Sequence, residues 1–235
     1  MRALILAGGK GSRLRPFTFT IPKPLVPIGE IPIIEILIRQ LRAQGFDQIS
    51  ISVGHLAGLI EAFCGNGDRW GVAIDYVYEN EPLGTAGCLG LMDVKEDQLL
   101  VVNGDTFTDL HMGEVFAAHD PKDALTICAN RRSVAIEFGV LETDASELLT
   151  DYREKPTLSY WVSMGVNVVS KWAIDEYVVR GQRLDMPELV EAARTDGKPV
   201  RVLKSDAYWL DLGRMADLEA GVAAFEENPQ RFLPA

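Results

Sequence analysis

A five-residue apolar run, Ala3 to Ala7, breaks at Gly8-Gly9-Lys10-Gly11. A short continuous run ended by glycines predicts a buried strand that feeds a turn and a short helix. Ile34, Leu37, Ile38 and Leu41 then recur at helical spacing, so a helix starts near Pro32 and stops at Gly45. Gln48 to Val53 (QISISV) alternates as a strand, and Leu56 to Phe63 reads as a helix. After the breaks at Gly65, Gly67 and Gly71, Ile74 to Tyr78 reads as a strand and Thr85 to Met92 as a helix. Gln98 to Val102 is an apolar strand that ends in Asn103-Gly104-Asp105. This strand–helix rhythm predicts a mostly parallel sheet covered on both faces.

The period changes near residue 120. Short strands are expected at Leu125 to Ala129, Phe138 to Leu141, Leu149 to Arg153 and Val162 to Val169. Helices follow at Lys171 to Val179 and Pro187 to Arg194, then a strand at Val200 to Leu203 and a last helix from about Arg214. No linker, low-complexity stretch or internal repeat interrupts the sequence, so residues 1–235 read as a single domain with halves at about 1–120 and about 121–235. The absence of a hexapeptide repeat gives the expectation that no β-helix follows.

Composition narrows the class. Apolar residues make up 47% and charged residues 24%, ordinary for a soluble, well-packed chain. A net charge of −11 leaves no extended basic face, which argues against a general nucleic-acid binder. The opening apolar run is too short for a signal peptide or a membrane span, and no other stretch approaches that length. Cys64, Cys88 and Cys128 are odd in number, widely spaced and without a C-x-x-C pair, so they read as buried thiols in a reducing cytoplasm. His55, His111 and His119 have no metal-ligand spacing.

Charge is unevenly placed. Arg2, Lys10, Arg13, Arg15 and Lys23 fall in the first 29 residues, which hold no acidic side chain. Beside a glycine turn whose backbone N–H groups can approach an anion, these cations suggest a polyphosphate cradle. Glycine-rich turns also occur without ligands. The dinucleotide fingerprint fails because Leu14 stands where its third glycine belongs, and the Walker A pattern fails because Gly11 follows Lys10. Asp105 and Asp211 each follow an apolar strand and adjoin a glycine turn. Singly, either could be a turn or cap residue. With a triphosphate between them they would make a Mg²⁺ site, because Mg²⁺ takes one or two carboxylates plus substrate phosphates.

Eight segments, in order, resemble the nucleotide sugar pyrophosphorylases, the sugar-1-phosphate nucleotidyltransferases. They are LAGGKGSRLRP (6–16), PKPLVP (22–27), EPLGTAG (81–87), NGD (103–105), FGV (138–140), REKP (153–156), MGVNV (164–168) and YWLDLG (208–213). The resemblance implies a Rossmann-like three-layer α/β/α fold with a mixed, mostly parallel central sheet and a small β-rich sugar-binding part. The first half would bind nucleotide and the second the sugar phosphate. It implies in-line attack of a sugar 1-phosphate on the α-phosphorus of a nucleoside triphosphate, with pyrophosphate leaving and Mg²⁺ as cofactor. Arg13, Lys23 and Asp105 would be catalytic. Leu6, Ala7, Gly8, Gly9, Gly11, Ser12, Arg13, Lys23, Glu81, Pro82, Gly84, Thr85, Asn103 and Gly104 would bind nucleotide. Gly139, Glu154, Lys155 and Asn167 would bind the sugar phosphate, and Asp105 with Asp211 the metal. Glu154-Lys155-Pro156 also reads as an exposed charged turn. Val162-Ser163-Met164-Gly165 departs from the family's usual Asn-Ala-Gly. The implied partners are small molecules, with no nucleic acid and no membrane; homo-oligomers are common in the family, but no interface is legible.

Glu81 favours GTP, because a carboxylate accepts two parallel hydrogen bonds from guanine N1–H and its exocyclic amine; it could also cap a turn. The closest family pattern is that of the mannose-1-phosphate guanylyltransferases, with a heptose or cyclitol 1-phosphate as other acceptors. Uridylyl or thymidylyl transfer is the alternative within the family. A non-catalytic nucleotide-sugar-binding regulator and a glycosyltransferase are alternatives outside it.

Overall fold

In the computed structural model, which describes residues 1–9, 11, 14 and 17–233, the chain forms three layers. In order, its elements are β1 (Arg2–Leu6), β2 (Pro27–Ile28), β3 (Ile31–Pro32), α1 (Ile33–Ala43), β4 (Gln48–Val53), α2 (Ala57–Cys64) and β5 (Ala73–Tyr78). There follow α3 (Gly84–Gly87), β6 (Gln98–Asn103), β7 (Thr106–Thr108), α4 (Met112–Ala117), β8 (Leu125–Ala135), β9 (Val140–Thr143), β10 (Leu149–Arg153) and β11 (Thr157–Ser170). The chain continues through α5 (Lys171–Tyr177), α6 (Met186–Thr195), β12 (Val200–Ser205), β13 (Trp209–Asp211), α7 (Met215–Glu227) and α8 (Pro229–Phe232).

The main sheet has seven strands in the order β12-β8-β11-β6-β1-β4-β5. Every neighbouring pair is parallel except those of β11, which runs antiparallel to both β6 and β8. Burial follows from this layering. Ala3, Leu4 and Ile5 of the central strand β1 are all 0% exposed, as a strand covered on both faces requires. On one face Ile5, Ile49, Ile51, Val102 and Val166 pack with Leu37 and Ile38 of α1 and with Phe225 and Phe232. On the other, Leu4, Val101 and Val169 pack with Ala86, Ala173 and Leu189 of α3, α5 and α6. Gln40 ties α1 to the C-terminal region by donating from Nε2 to the carbonyls of Thr108 (2.7 Å) and Phe232 (2.9 Å). Among the described residues, no helix is long and apolar enough to cross a membrane.

Several elements depart from the sequence reading. The helix expected over residues 85–92 is only one α-turn, α3, followed by a tighter 3-10 turn over Cys88–Leu91. Its glycines carry the backbone of residues 182–184: a Cβ on Gly84 would stand 2.6 Å from the Leu184 carbonyl, and one on Gly87 2.6 Å from that of Gln182. Strands β8 and β11 extend beyond the main sheet as a ribbon, where their residues are largely exposed. The small antiparallel pairs β2–β3, β7–β13 and β9–β10 complete the fold. Of these, β2, β3 and β7, like the short helix α4, carry no pattern that distinguishes them from loops in the sequence.

Candidate active site

In an open α/β sheet, ligands bind beyond the carboxyl ends of the strands where the strand order reverses. From β1 the chain passes to β4 and β5 on one side and returns to β6 on the other, so the reversal lies between β1 and β6. A cavity of about 430 Å³ opens at that point, inside the ~300–1,000 Å³ range of small-molecule sites. Leu6 at the end of β1, with Ala7, Gly8, Gly9 and Gly11 after it, lies along its wall, joined by Lys23, Pro24, Ser52 and Glu79. Pro82, Gly84, Thr85, Asn103, Gly104, Asp105, Asp211 and Gly213 complete it.

The two candidate metal carboxylates meet because β7 pairs with β13. Asp211 lies opposite Thr106 in that ladder, and the Leu212 N–H donates to the Asp105 carbonyl at 3.1 Å. Lys23 sits on a turn stiffened by Pro22 and Pro24, with Leu25 N–H donating to the Pro22 carbonyl (2.8 Å) and Val26 N–H to that of Lys23 (3.0 Å). Close approach depends on Gly104. Its N–H donates to the Leu6 carbonyl at 2.9 Å, and a Cβ there would stand 2.7 Å from that oxygen and 3.2 Å from Pro24 Cγ. Lys23 is only 8% exposed; its ammonium donates to Asp105 Oδ2 and lies 3.5 Å from Asp211 Oδ1. A cation this buried requires such partners.

The donor set fits a hard divalent cation shared with a polyanion. Two carboxylates converge on one position, and among the described residues no cluster of three or more His, Cys, Asp or Glu forms a closed metal cage. An ion that prefers six oxygens would draw the remainder from phosphates and water.

Glu79, which the motif reading missed, stands beside the glycine turn that follows β1. Its N–H continues the ladder to the Val53 carbonyl at 2.9 Å. Its carboxylate lies against Gly8 and accepts from the Ser52 hydroxyl and, at 2.9 Å, from the Leu83 N–H. Glu81, two residues on, is exposed and absent from the wall. Gly84 and Thr85 are held from the other half of the chain: Thr85 N–H donates to Asp185 Oδ1 (3.1 Å), and Met186 N–H donates to Thr85 Oγ1 (2.7 Å). Ser12 and Arg13, with Lys10 and Arg15 of the proposed cradle, lie outside the described residues.

The residues assigned to the sugar phosphate do not line this cavity. Gly139 and Glu154 meet at Tyr152, which donates to Glu154 Oε2 at 2.7 Å and whose Oη lies 2.5 Å from the place of a Gly139 Cβ. That hydrogen bond raises the Tyr152 phenol above its usual pKa. Lys155 adopts φ 44°, a left-handed conformation uncommon outside glycine and found at functional sites. Asn167 is only 4% exposed in the middle of β11, and its Oδ1 has no hydrogen-bond partner among the described residues. Ser52 was legible in principle: a serine in a strand covered on both faces must find a polar partner. Pro24 and Gly213, also missed, line the wall beside Lys23 and Asp211.

The model of a family described as "Nucleotidyl transferase" matches residues 2–228. A UTP–glucose-1-phosphate uridylyltransferase from Synechocystis sp. is 34% identical over 92% of this chain and 61% of its own length. A mannose-1-phosphate guanyltransferase from Kluyveromyces lactis is 31% identical over 100% of this chain and 67% of its own. The chain thus spans about three fifths to two thirds of these curated relatives. Among solved structures, HddC from Yersinia pseudotuberculosis superposes with a TM-score of 0.72 at 26% identity, covering 95% of this chain and 99% of that one.

Proposed function

The chain belongs to the nucleotidyl transferase family, and from that membership we propose that it transfers a nucleotidyl group from a nucleoside triphosphate to a sugar 1-phosphate, releasing pyrophosphate. The observation that carries this reading is Lys23, held beside Asp105 and Asp211 at the rim of a glycine-walled cavity.

The chemistry asks little acid–base work of the protein, since the attacking phosphate oxygen is already ionised near neutral pH. Positioning two polyanions and stabilising developing charge are the main tasks. Backbone N–H groups of Gly8, Gly9 and Gly11 approach the polyphosphate, and Arg13 holds its outer phosphates. Lys23 turns its ammonium to the α-phosphoryl oxygens, where charge accumulates. Asp105 and Asp211 would hold Mg²⁺, which would supply charge neutralisation of the phosphates and polarisation of the α-phosphorus. Glu154 and Lys155, with Gly139 and Asn167, receive the sugar phosphate.

GTP is the proposed donor. A carboxylate has about four acceptor positions; in Glu79, Ser52 and Leu83 engage one on each oxygen, leaving capacity for guanine N1–H and its amine. Uracil and thymine offer one donor between two acceptors, which a carboxylate would repel. Mannose 1-phosphate is the first acceptor to test. The Synechocystis relative supports uridylyl transfer as the second reading.

The test is pyrophosphate release with Mg²⁺ over a matrix of ATP, GTP, CTP, UTP and dTTP against mannose, glucose and heptose 1-phosphates. Turnover confined to GTP is expected. Turnover with UTP or dTTP alone would refute the base assignment and keep the reaction class, and no pyrophosphate from any pair would refute the class.

A further inference from the structure

A cation that faces both Asp105 and Asp211 is part of the chain itself. We infer that Lys23 makes divalent-metal binding conditional on the nucleotide: its ammonium occupies the carboxylate pair until a polyphosphate gives it another partner, so the pair admits a metal together with the nucleotide and not before. This inference rests on the nucleotidyl-transfer reading and adds an order of events to it.

Three observations support it. The Lys23 ammonium donates to Asp105 Oδ2 and stands 3.5 Å from Asp211 Oδ1, so it bridges the oxygens a metal would use. Lys23 is 8% exposed, and its stem is confined by the Pro22 and Pro24 turn and by Gly11, where an added Cβ would lie 3.1 Å from Lys23 Cβ. At 8% exposure the ammonium has little contact with bulk water to replace its carboxylate partners when a cation arrives. A metal entering alone would also place a divalent charge beside a confined monovalent one. With a polyphosphate present both problems end together: phosphate oxygens supply ligands that two carboxylates cannot, and the ammonium acquires an anion in the cavity it already lines.

The arrangement has a use. Mg²⁺ seated alone on Asp105 and Asp211 would fix its ligand geometry before the phosphates arrive. A lysine in its place keeps the two carboxylates together and ordered, and its release is coupled to the arrival of the charge it must stabilise.

Mn²⁺ serves as the probe. Electron paramagnetic resonance of free Mn²⁺ measures metal-only binding to the wild-type protein, Lys23→Met and Lys23→Arg. Water proton relaxation enhancement with GTP and with UTP then detects protein-bound metal–nucleotide. Wild type and Lys23→Arg are expected to bind Mn²⁺ weakly alone, and Lys23→Met at least about tenfold more tightly, roughly what one charge-assisted hydrogen bond carries. Wild type should bind metal strongly only in the ternary mixture. Equal metal-only affinity in wild type and Lys23→Met would overturn the inference. So would wild-type Mn²⁺ binding that is as tight without nucleotide as with it, an arm that needs no variant to fold. Failure of both nucleotides to give a ternary complex, with metal-only binding still weak in wild type and tighter in Lys23→Met, would instead refute the nucleotidyl-transfer reading.

Discussion

Gly104→Ala tests whether close approach of two backbone segments builds the site. The added Cβ would lie 2.7 Å from the Leu6 carbonyl oxygen, against an ordinary carbon–oxygen approach of ~3.3 Å. The end of β6 must therefore move by roughly 0.6 Å, and Pro24, whose Cγ would be 3.2 Å away, resists on the other side. Overpacking of this kind costs about 1–3 kcal/mol. A misplacement of ~1 Å costs on the order of 10²-fold in rate, so the shift at Asp105 should lower turnover about tenfold. Urea unfolding and pyrophosphate release with Mg²⁺ measure the two effects. Gly9→Ala is the control, since a Cβ there meets nothing within 4 Å. It should leave stability within about 0.5 kcal/mol while weakening nucleotide binding, because only the bound polyphosphate would meet the new methyl. Unchanged stability and turnover in Gly104→Ala, or equal loss of stability in both variants, would refute the close-approach reasoning.

Asp211→Asn should raise the Mg²⁺ concentration for half-maximal turnover about tenfold, the scale of one charged ligand contact; a titration that matches wild type would remove Asp211 from the metal site. Glu79→Gln should reduce the preference for GTP over UTP roughly 10-fold or more through loss of one charged hydrogen bond, read as a ratio of kcat/KM values; an unchanged ratio would mean that Glu79 does not read the base. Asp185→Ala removes the acceptor of the Thr85 N–H and one half of the α6 capping box. It should cost about 1 kcal/mol of stability and raise the nucleotide KM severalfold with a smaller change in kcat; a fall in kcat alone would contradict its positioning role. His119 is buried with Nδ1 2.8 Å from Thr126 Oγ1 and Nε2 2.8 Å from Ser170 Oγ, whose hydroxyl donates to the Asp123 carbonyl. Burial lowers its pKa from 6.5, partly opposed by Asp123 and Asp120. The unfolded chain therefore binds a proton first on acidification: His119 leaves stability unaffected above about pH 6.5 and lowers it as pH falls toward the folded pKa, by at most ~1.4 kcal/mol per pH unit. His119→Gln should be less stable but show a flatter urea midpoint between pH 7 and 5; an equal slope would contradict this assignment.

Strands of the first half were legible as short apolar runs closed by glycine or a turn, as at Ala3–Ala7 and Gln98–Val102, or as an alternation, as at Gln48–Val53. The helix on Ile34, Leu37, Ile38 and Leu41 was legible because its buried face keeps the helical period. The far halves of β8 and β11 were not. They leave the core, so Arg131, Arg132, Ser133 and Ser159 carry no burial signal, and only their mutual ladder makes them strands. Helix 85–92 was overextended for a related reason. Its apolar positions suit a helix, but the backbone of residues 182–184 lies on its glycines, a contact far away in sequence.

The candidate site divides in the same way. The glycine turn, Lys23, Asp105 and Asp211 were named from local motifs, but what joins the two carboxylates is the pairing of β7 with β13, strands of three residues each that come from distant parts of the chain. Glu79 and Glu81 show what motif reading omits. Glu81 opens the EPLGTAG segment and Glu79 stands two residues before it, and both would share one face if β5 continued. Alternation does run from the buried Val77 to Glu79, whose N–H still bonds to Val53. It stops there because the chain bends at residues 80–81, and that turn sends Glu81 to solvent. Period-two reasoning from Val77 reaches both residues, and only the end of the ladder at Glu79 separates them, whereas the motif selected the residue nearest the proline. When two acidic residues compete for one role, the strand that carries the nearer one is the stronger guide, because side-chain direction is fixed by the ladder up to its last hydrogen bond and by nothing local after it.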